Sequence, residues 1–128
     1  MTCILLVDDD PSIRAMFSMV LKSQGFDVLT ADNGHTALEL LQSCHELPAL
    51  ILLDLMMPIM SGAEFRVAQR ADPRLASVPT VVVSAAGDVP SHMRSLIDIK
   101  VCPKPVTMDD LLAVVSDAGI TSAVAVGR

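Results

Sequence analysis

The chain has 128 residues, of which 52% are hydrophobic but only three, all Phe, are aromatic, and its formal net charge is −6. That length builds one domain around one core, which must be aliphatic, and leaves no room for a second. No Lys/Arg stripe is present to neutralise phosphates, which argues against direct nucleic-acid binding, and no apolar run reaches the ~18–20 residues that span a bilayer.

Cys3 to Val7 is an apolar run that reads as a buried strand, and it ends in the acid pair Asp8-Asp9. Asp10-Pro11-Ser12 then opens a helix, with Asp10 as N-cap and Pro11 at the first helical position, where its missing N–H does no harm. Ile13, Met16, Phe17, Val20 and Leu21 recur at helical spacing and predict the buried stripe. Gly25 suits the left-handed position that ends the helix. Asp27 to Ala31 is a short second strand, and Asp32-Asn33-Gly34 is turn chemistry. A second helix is expected from about His35 to Ser43, with Ala37, Leu40, Leu41 and Cys44 inward, until Pro48 breaks the pattern.

Leu50 to Leu53 is the third strand, with Asp54 at its end. A loop, Met57-Pro58-Ile59-Met60-Ser61-Gly62, leads into a third helix from about Ala63 to Ala71, which Asp72-Pro73 stops. Thr80 to Val83 is a fourth strand ending in Ser84. A weaker helix is expected between Pro90 and Ile97, and a fifth strand, Ile99 to Cys102, leads into Lys104-Pro105. Thr107 caps a last helix whose expected buried face is Met108, Leu111, Leu112, Val115 and Ala118, and Gly119 ends it. The expected organisation is one domain over 1–119 and a short tail over 120–128.

Cys3, Cys44 and Cys102 fall in or beside apolar runs, form no CxxC, and do not cluster with His35, His45 or His92. Reduced, buried thiols of a cytoplasmic protein are the expectation. Met1-Thr2 leads straight into a strand, so no signal peptide is expected.

Strands of continuous Val, Ile and Leu alternating with amphipathic helices predict an α/β fold, a doubly wound five-stranded parallel sheet with helices on both faces. Right-handed crossovers put every strand's C-terminal end on one edge. Asp8, Asp9, Asp54, Ser84 and Lys104 therefore converge on one rim, the usual place for chemistry in an open parallel sheet. Singly, each has an ordinary reading: Asp8 to Asp10 as helix caps, Asp54 and Ser84 as turn residues, Lys104 as a solvated surface lysine. Together they offer complementary chemistry. Crowded carboxylates hold either protons or a cation, and Mg²⁺ is a hard ion that takes oxygen ligands. Lys104 supplies a mobile positive charge, the Ser84 hydroxyl a donor, and Asp54 a nucleophile that can form an acyl phosphate.

Leu6-Val7-Asp8-Asp9, Leu53-Asp54-Leu55-Met56-Met57-Pro58 with Ser61-Gly62, Val83-Ser84-Ala85 and Lys104-Pro105 give the chain a resemblance. From about Cys3 to Ala118 it resembles a receiver domain of bacterial two-component response regulators, of the chemotaxis-regulator type. The resemblance implies a flavodoxin-like sheet of order 2-1-3-4-5. It implies that Asp54 accepts phosphate from a histidine kinase or phosphotransfer protein. Asp9, Asp54 and the Met56 backbone carbonyl would bind Mg²⁺, with Asp8 acting through a bound water. Ser84 and Lys104 would contact the phosphoryl group, and the Lys104-Pro105 bond would be cis. Output would pass through protein contacts to an unidentified target, with phosphorylation-dependent homodimerisation among the forms open to it. Such a protein is not an enzyme beyond its own phosphorylation and dephosphorylation.

Several positions depart from the family pattern. Val101 stands where Tyr or Phe is usual, Ile97-Asp98 replace small residues, Pro103 precedes the lysine, and Val106 replaces a common Phe. Met56 and Ala86, positions that govern hydrolytic water in similar receivers, carry no carboxylate or amide side chain. Two other readings compete. A non-phosphorylated pseudo-receiver would work by docking alone, but would not need the acid pair, Asp54 and Lys104. A phosphatase of the haloacid-dehalogenase type would need a further acidic pair on a late strand, and none is present.

Overall fold

The computed structural model describes residues 2–54, 57, 59–85, 101–104 and 107–117, with the backbone alone at 84, 85, 101–104 and 117. Five parallel strands, β1 (Cys3–Val7), β2 (Asp27–Ala31), β3 (Leu50–Asp54), β4 (Thr80–Ala85) and β5 (Val101–Lys104), form one sheet of order β2-β1-β3-β4-β5. This is the expected doubly wound sheet. Its helices among the described residues are α1 (Pro11–Ser23), α2 (Gly34–Ser43), α3 (Gly62–Ala71) and a C-terminal helix (Met108–Asp117).

Strand alternation sorts the aliphatic residues into two layers. Leu5, Val7, Ile51, Leu53 and Val82 face Ala37 and Leu41 of α2 and Phe65 of α3. Ile4, Leu6, Leu50, Leu52 and Val81 face Phe17, Val20 and Leu21 of α1 and Leu111, Val114 and Val115 of the C-terminal helix. Each such side chain contributes roughly 1.5–3 kcal/mol on burial. Covered on both sides, β1 and β3 are buried along almost their whole length, and the acids stand at their C-terminal ends.

The local signals act much as expected. Asp10 caps α1, accepting from the amides of Ser12 at 2.8 Å and Ile13 at 3.3 Å, with Pro11 in the first turn. Gly25 takes φ 88° beyond its end, a conformation that costs other residues more. Thr107 caps the C-terminal helix: its hydroxyl accepts from the Asp110 amide at 3.0 Å while Asp110 accepts from the Thr107 amide at 3.1 Å.

Other expectations shift. Met16 lies on the expected stripe of α1 yet is exposed, as is Met108 on the C-terminal helix, where Val114 is buried instead. A helix that packs one flank on a twisted sheet turns its marginal positions to solvent. Asn33 is the N-cap of α2 rather than part of a free turn, accepting from the Thr36 amide at 2.9 Å, and so α2 begins at Gly34. β4 runs on through Ala85, and β5 covers Val101–Lys104 rather than ending at Cys102. Pro103 thus lies within a strand, which an edge position allows because no further strand needs its N–H. Cys3 and Cys44 are free thiols but half-buried. Burial, then Asp27 and Cys44, push the Cys3 thiol up, which keeps it protonated at neutral pH. The expected helix between Pro90 and Ile97 and the tail over 120–128 lie outside the described residues.

A polar knot closes the sheet's N-terminal edge. The fully buried Gln69 amide donates to the carbonyls of Leu75 at 3.1 Å and Val78 at 3.3 Å and to the Thr80 hydroxyl at 3.0 Å, while its oxygen accepts from Arg66 at 3.0 Å. Gln69→Leu leaves buried acceptors without a donor and should cost about 2–3 kcal/mol in urea unfolding. A variant as stable as the parent would show that the knot is ornamental.

Candidate functional site

The central strands end side by side. Val7 pairs with Leu53, so Asp8 leaves β1 level with Asp54 on β3. Carboxylate oxygens of Asp8, Asp9 and Asp54 lie within 4.8 Å of one another, with Asp8 and Asp54 buried and Asp9 exposed. Asp54 pairs with Val83, Ser84 with Pro103 and Ala85 with Lys104. Along the rim, the Ser84 backbone therefore stands one residue beyond the Asp54 row and the Lys104 backbone two. The three acids meet as expected, and the backbones of Ser84 and Lys104 reach the same edge. Met56 and the Lys104-Pro105 bond lie outside the described residues, as do the side chains of Ser84 and Lys104.

At 4.8 Å two unit charges repel by roughly 3.5 kcal/mol for an effective dielectric near 20. The fold offsets that repulsion locally. An Asp8 carboxylate oxygen accepts from the Asp10 amide at 2.9 Å, while the Asp8 backbone amide donates to the Ala31 carbonyl at 3.1 Å and fixes the residue beside β2. The Arg14 guanidinium, one turn into α1, donates to the Asp8 carbonyl at 2.6 Å and sets a cation beside the acid pair. An octahedral ion with ~2.1 Å bonds holds its ligand oxygens roughly 3.0 to 4.2 Å apart, so the cluster could close on a small hard cation with sub-ångström movement. Three oxygen donors with no thiolate or imidazole among them suit such an ion and not a soft one.

The loop leaving Asp54 is fixed at its far end. Ser61 and Glu64 form a capping box at the start of α3, with each side chain bonded to the other residue's amide at 3.1 and 3.2 Å. Just before it, the Met60 carbonyl accepts from the Gly34 amide at 3.0 Å, and Ile59 takes φ 69° with 80% of its surface exposed. Sequence reasoning missed Arg14, Gly34 and Met60 as neighbours of the site. Ser61-Gly62-Ala63-Glu64 was legible as a capping box, but nothing in the sequence joins Gly34 to Met60.

The model of the response regulator receiver domain family matches residues 4–116. The chain belongs to that family. This receiver is 41% identical over 88 residues to the transcriptional regulatory protein CpxR homolog of Haemophilus influenzae, covering 69% of this chain and 36% of that protein. To the DNA-binding response regulator MtrA of Mycolicibacterium smegmatis it is 41% identical over 85 residues, covering 66% of this chain and 35% of MtrA. It thus spans about a third of the length of these curated relatives. In structure it is similar to the chemotaxis protein CheY4 of Vibrio cholerae, with a TM-score of 0.83 and 28% identity over 92% of this chain and 98% of that one. The sheet order expected of a receiver is the one found, and an acidic cluster able to hold a metal stands at its C-terminal edge. No helix among the described residues is long and apolar enough to cross a membrane.

Removing one charge from the cluster should show its cost. Asp54→Asn should stabilise the receiver in EDTA by about 1 kcal/mol or more, a fraction of the pairwise repulsion. Saturating Mg²⁺ should erase the gain, because the parent then has its charges offset. Equal stability of the two proteins in EDTA would show that the cluster stores no repulsion.

Proposed function

We propose that this receiver accepts a phosphoryl group on Asp54 from a histidine kinase or phosphotransfer protein, using Mg²⁺, and signals through protein contacts. The meeting of Asp8, Asp9 and Asp54 at one sheet edge is the observation that carries this reading. Asp9, Asp54 and the Met56 carbonyl would hold the ion directly, and Asp8 would act through a water. The outer role suits Asp8, which is buried and already accepts from the Asp10 amide. When bound, Mg²⁺ supplies positive charge that offsets the acids and the phosphoryl oxygens.

The chain's own groups do the rest. A carboxylate oxygen of Asp54 attacks phosphorus, the phosphorus–nitrogen bond to the donor imidazole breaks, and the imidazole nitrogen keeps the electron pair and takes a proton. The Lys104 ammonium pairs with one phosphoryl oxygen and the Ser84 hydroxyl donates to another. Catalysis is confined to the protein's own phosphorylation and dephosphorylation. The receiver occupies 1–119, followed by a tail over 120–128, and works in the cytoplasm. A net charge of −6 favours protein targets over nucleic acid for this chain, and a phosphorylation-dependent homodimer is one form the output can take. DNA binding, which the name of MtrA states for that protein, would belong to other parts of a longer polypeptide.

Acetyl phosphate with Mg²⁺ should add one phosphoryl group by mass, and Asp54→Asn should take none. Asp9→Ala should weaken Mg²⁺ binding by about 1 kcal/mol or more, on the scale of one lost charged contact. Calorimetry or NMR must read it, since the chain has no Trp or Tyr. Stoichiometric labelling of the Asn variant would remove Asp54 from its role, and catalytic turnover of p-nitrophenyl phosphate would favour a phosphatase.

A further inference from the structure

Gly34 begins α2, on the far side of the β2–α2 turn from Ala31, and belongs to neither the acid cluster nor the loop that follows it. Even so, it touches that loop at backbone level. Its amide donates to the Met60 carbonyl at 3.0 Å. A Cβ at position 34 would lie 2.8 Å from Met60 Cγ and 3.0 Å from both Met60 Sδ and the Met60 carbonyl oxygen. The contact with Cγ is shorter than ordinary side chains show, and the one with the carbonyl oxygen is tight, so a Cβ here would force Met60 to shift by at least a few tenths of an ångström. Glycine alone meets Met60 here without such a shift. Its freedom is used here for closeness, not for a left-handed turn.

Three further facts make the contact a clamp. Asn33, buried beside Gly34, is held by the Thr36 amide at 2.9 Å and by its own bond to Asp32 at 2.8 Å, so the turn is a fixed anchor. Met60 packs its side chain against the core layer of Leu5, Val7 and Leu53. Ile59, next to Met60, sits at φ 69°, which costs a β-branched residue roughly 1–2 kcal/mol and persists only where neighbours determine the backbone. Gly34 and the Ser61 cap hold the two residues that follow it. Met60, six residues after Asp54, is thereby tied to the α2 turn.

We infer that Gly34 is a positioning residue for phosphoryl transfer, acting through Met60 to fix the loop that begins at Asp54. The inference rests on the proposed phosphorylation of Asp54. A side chain at 34 pushes the Met60 backbone outward, and the shift is carried back along the loop to the residues after Asp54. Displacements well under 1 Å matter there, since a 1 Å misplacement can cost ~100-fold in rate.

The test compares labelling by acetyl phosphate at saturating Mg²⁺ in the parent, Gly34→Ala, Gly34→Ala with Met60→Ala, and Val20→Ala as a destabilised control on the opposite face of the sheet. Gly34→Ala should slow labelling at least ~3-fold, move the amide resonances of residues 59–61, and weaken Mg²⁺ binding. The double variant, relieved of the side-chain half of the clash, should label faster than Gly34→Ala alone. Val20→Ala should lose thermal stability yet label at the parental rate, which separates positioning from general destabilisation. If Gly34→Ala does not fold, Met60→Ala alone should label more slowly than the parent because the loop loses its packing on the anchor. Parental rates in Gly34→Ala, or in Met60→Ala where that variant decides, overturn the inference while leaving the proposed function standing. A parent that takes no label overturns the proposed function and this inference with it.

Discussion

Three carboxylates held within 4.8 Å of one another repel by roughly 3.5 kcal/mol per pair for an effective dielectric near 20. The rest of the receiver can be understood as what holds them. Asp8 and Asp54 stand at the ends of neighbouring central strands whose side chains are buried on both faces. Neither strand can slide, because a one-residue slip would turn every Leu and Ile of the run to the wrong layer. Register thus fixes the acids where bonding alone would not. The Asp10 amide and the Arg14 guanidinium then trim the repulsion at the Asp8 turn without removing it.

Beyond the strand ends, Ile59 and Met60 lie on the loop that runs from Asp54 into α3. That loop contains Ile59, left-handed, β-branched and 80% exposed, and a contact between Met60 and Gly34 that no Cβ could enter without a shift. Ile59 carries a backbone cost, whereas the close approach of Gly34 brings the hydrogen bond to Met60. Strain of this kind survives where the surrounding structure over-determines the backbone, and it gathers beside functional groups. Here both anchors of the loop, the Gly34 turn and the Ser61 cap, are well bonded. The molecule therefore holds its reactive edge between a rigid floor and a tethered, strained rim.

Most of this was legible in the residues, for reasons that differ from element to element. The continuous runs Ile4 to Val7 and Leu50 to Leu53 announce buried parallel strands because a sheet covered on both faces needs no polar alternation. Asp10-Pro11 and Thr107 announce helix starts because an orphan amide needs an acceptor within reach. Met16 and Met108 misled because periodicity fixes a face only to within a residue, and flexible Met tolerates either side of the boundary. The ends of β4 and β5 were set short because Ser84, Pro103 and Lys104 read as loop chemistry, whereas the sheet edge accommodates all three. Gly34 and Met60 were invisible as a pair. Their contact joins two turns 26 positions apart in sequence, through backbone atoms that carry no residue-specific signal.

The energy scale of the cluster explains how so small a domain could act as a switch. One added unit charge beside carboxylates 4.8 Å away is worth roughly 3.5 kcal/mol per neighbour before any cation screens it. A phosphoryl group on Asp54 exchanges one carboxylate charge for nearly two phosphate charges, a net gain approaching one. Whole domains of this size are stable by only ~5–15 kcal/mol. A change of that fraction cannot be absorbed by the two aliphatic layers, which are close-packed and have nothing to yield. Under the proposed function it would be met at the rim, by the metal, by Lys104 and by movement of the backbone there. Ser84 and Lys104 stand on the β4–β5 edge, away from the doubly covered centre, and Val101 leaves no aromatic ring there to turn. A shift of the β4 and β5 ends against the β1–β3 floor is the route this places beside the proposed phosphoryl site.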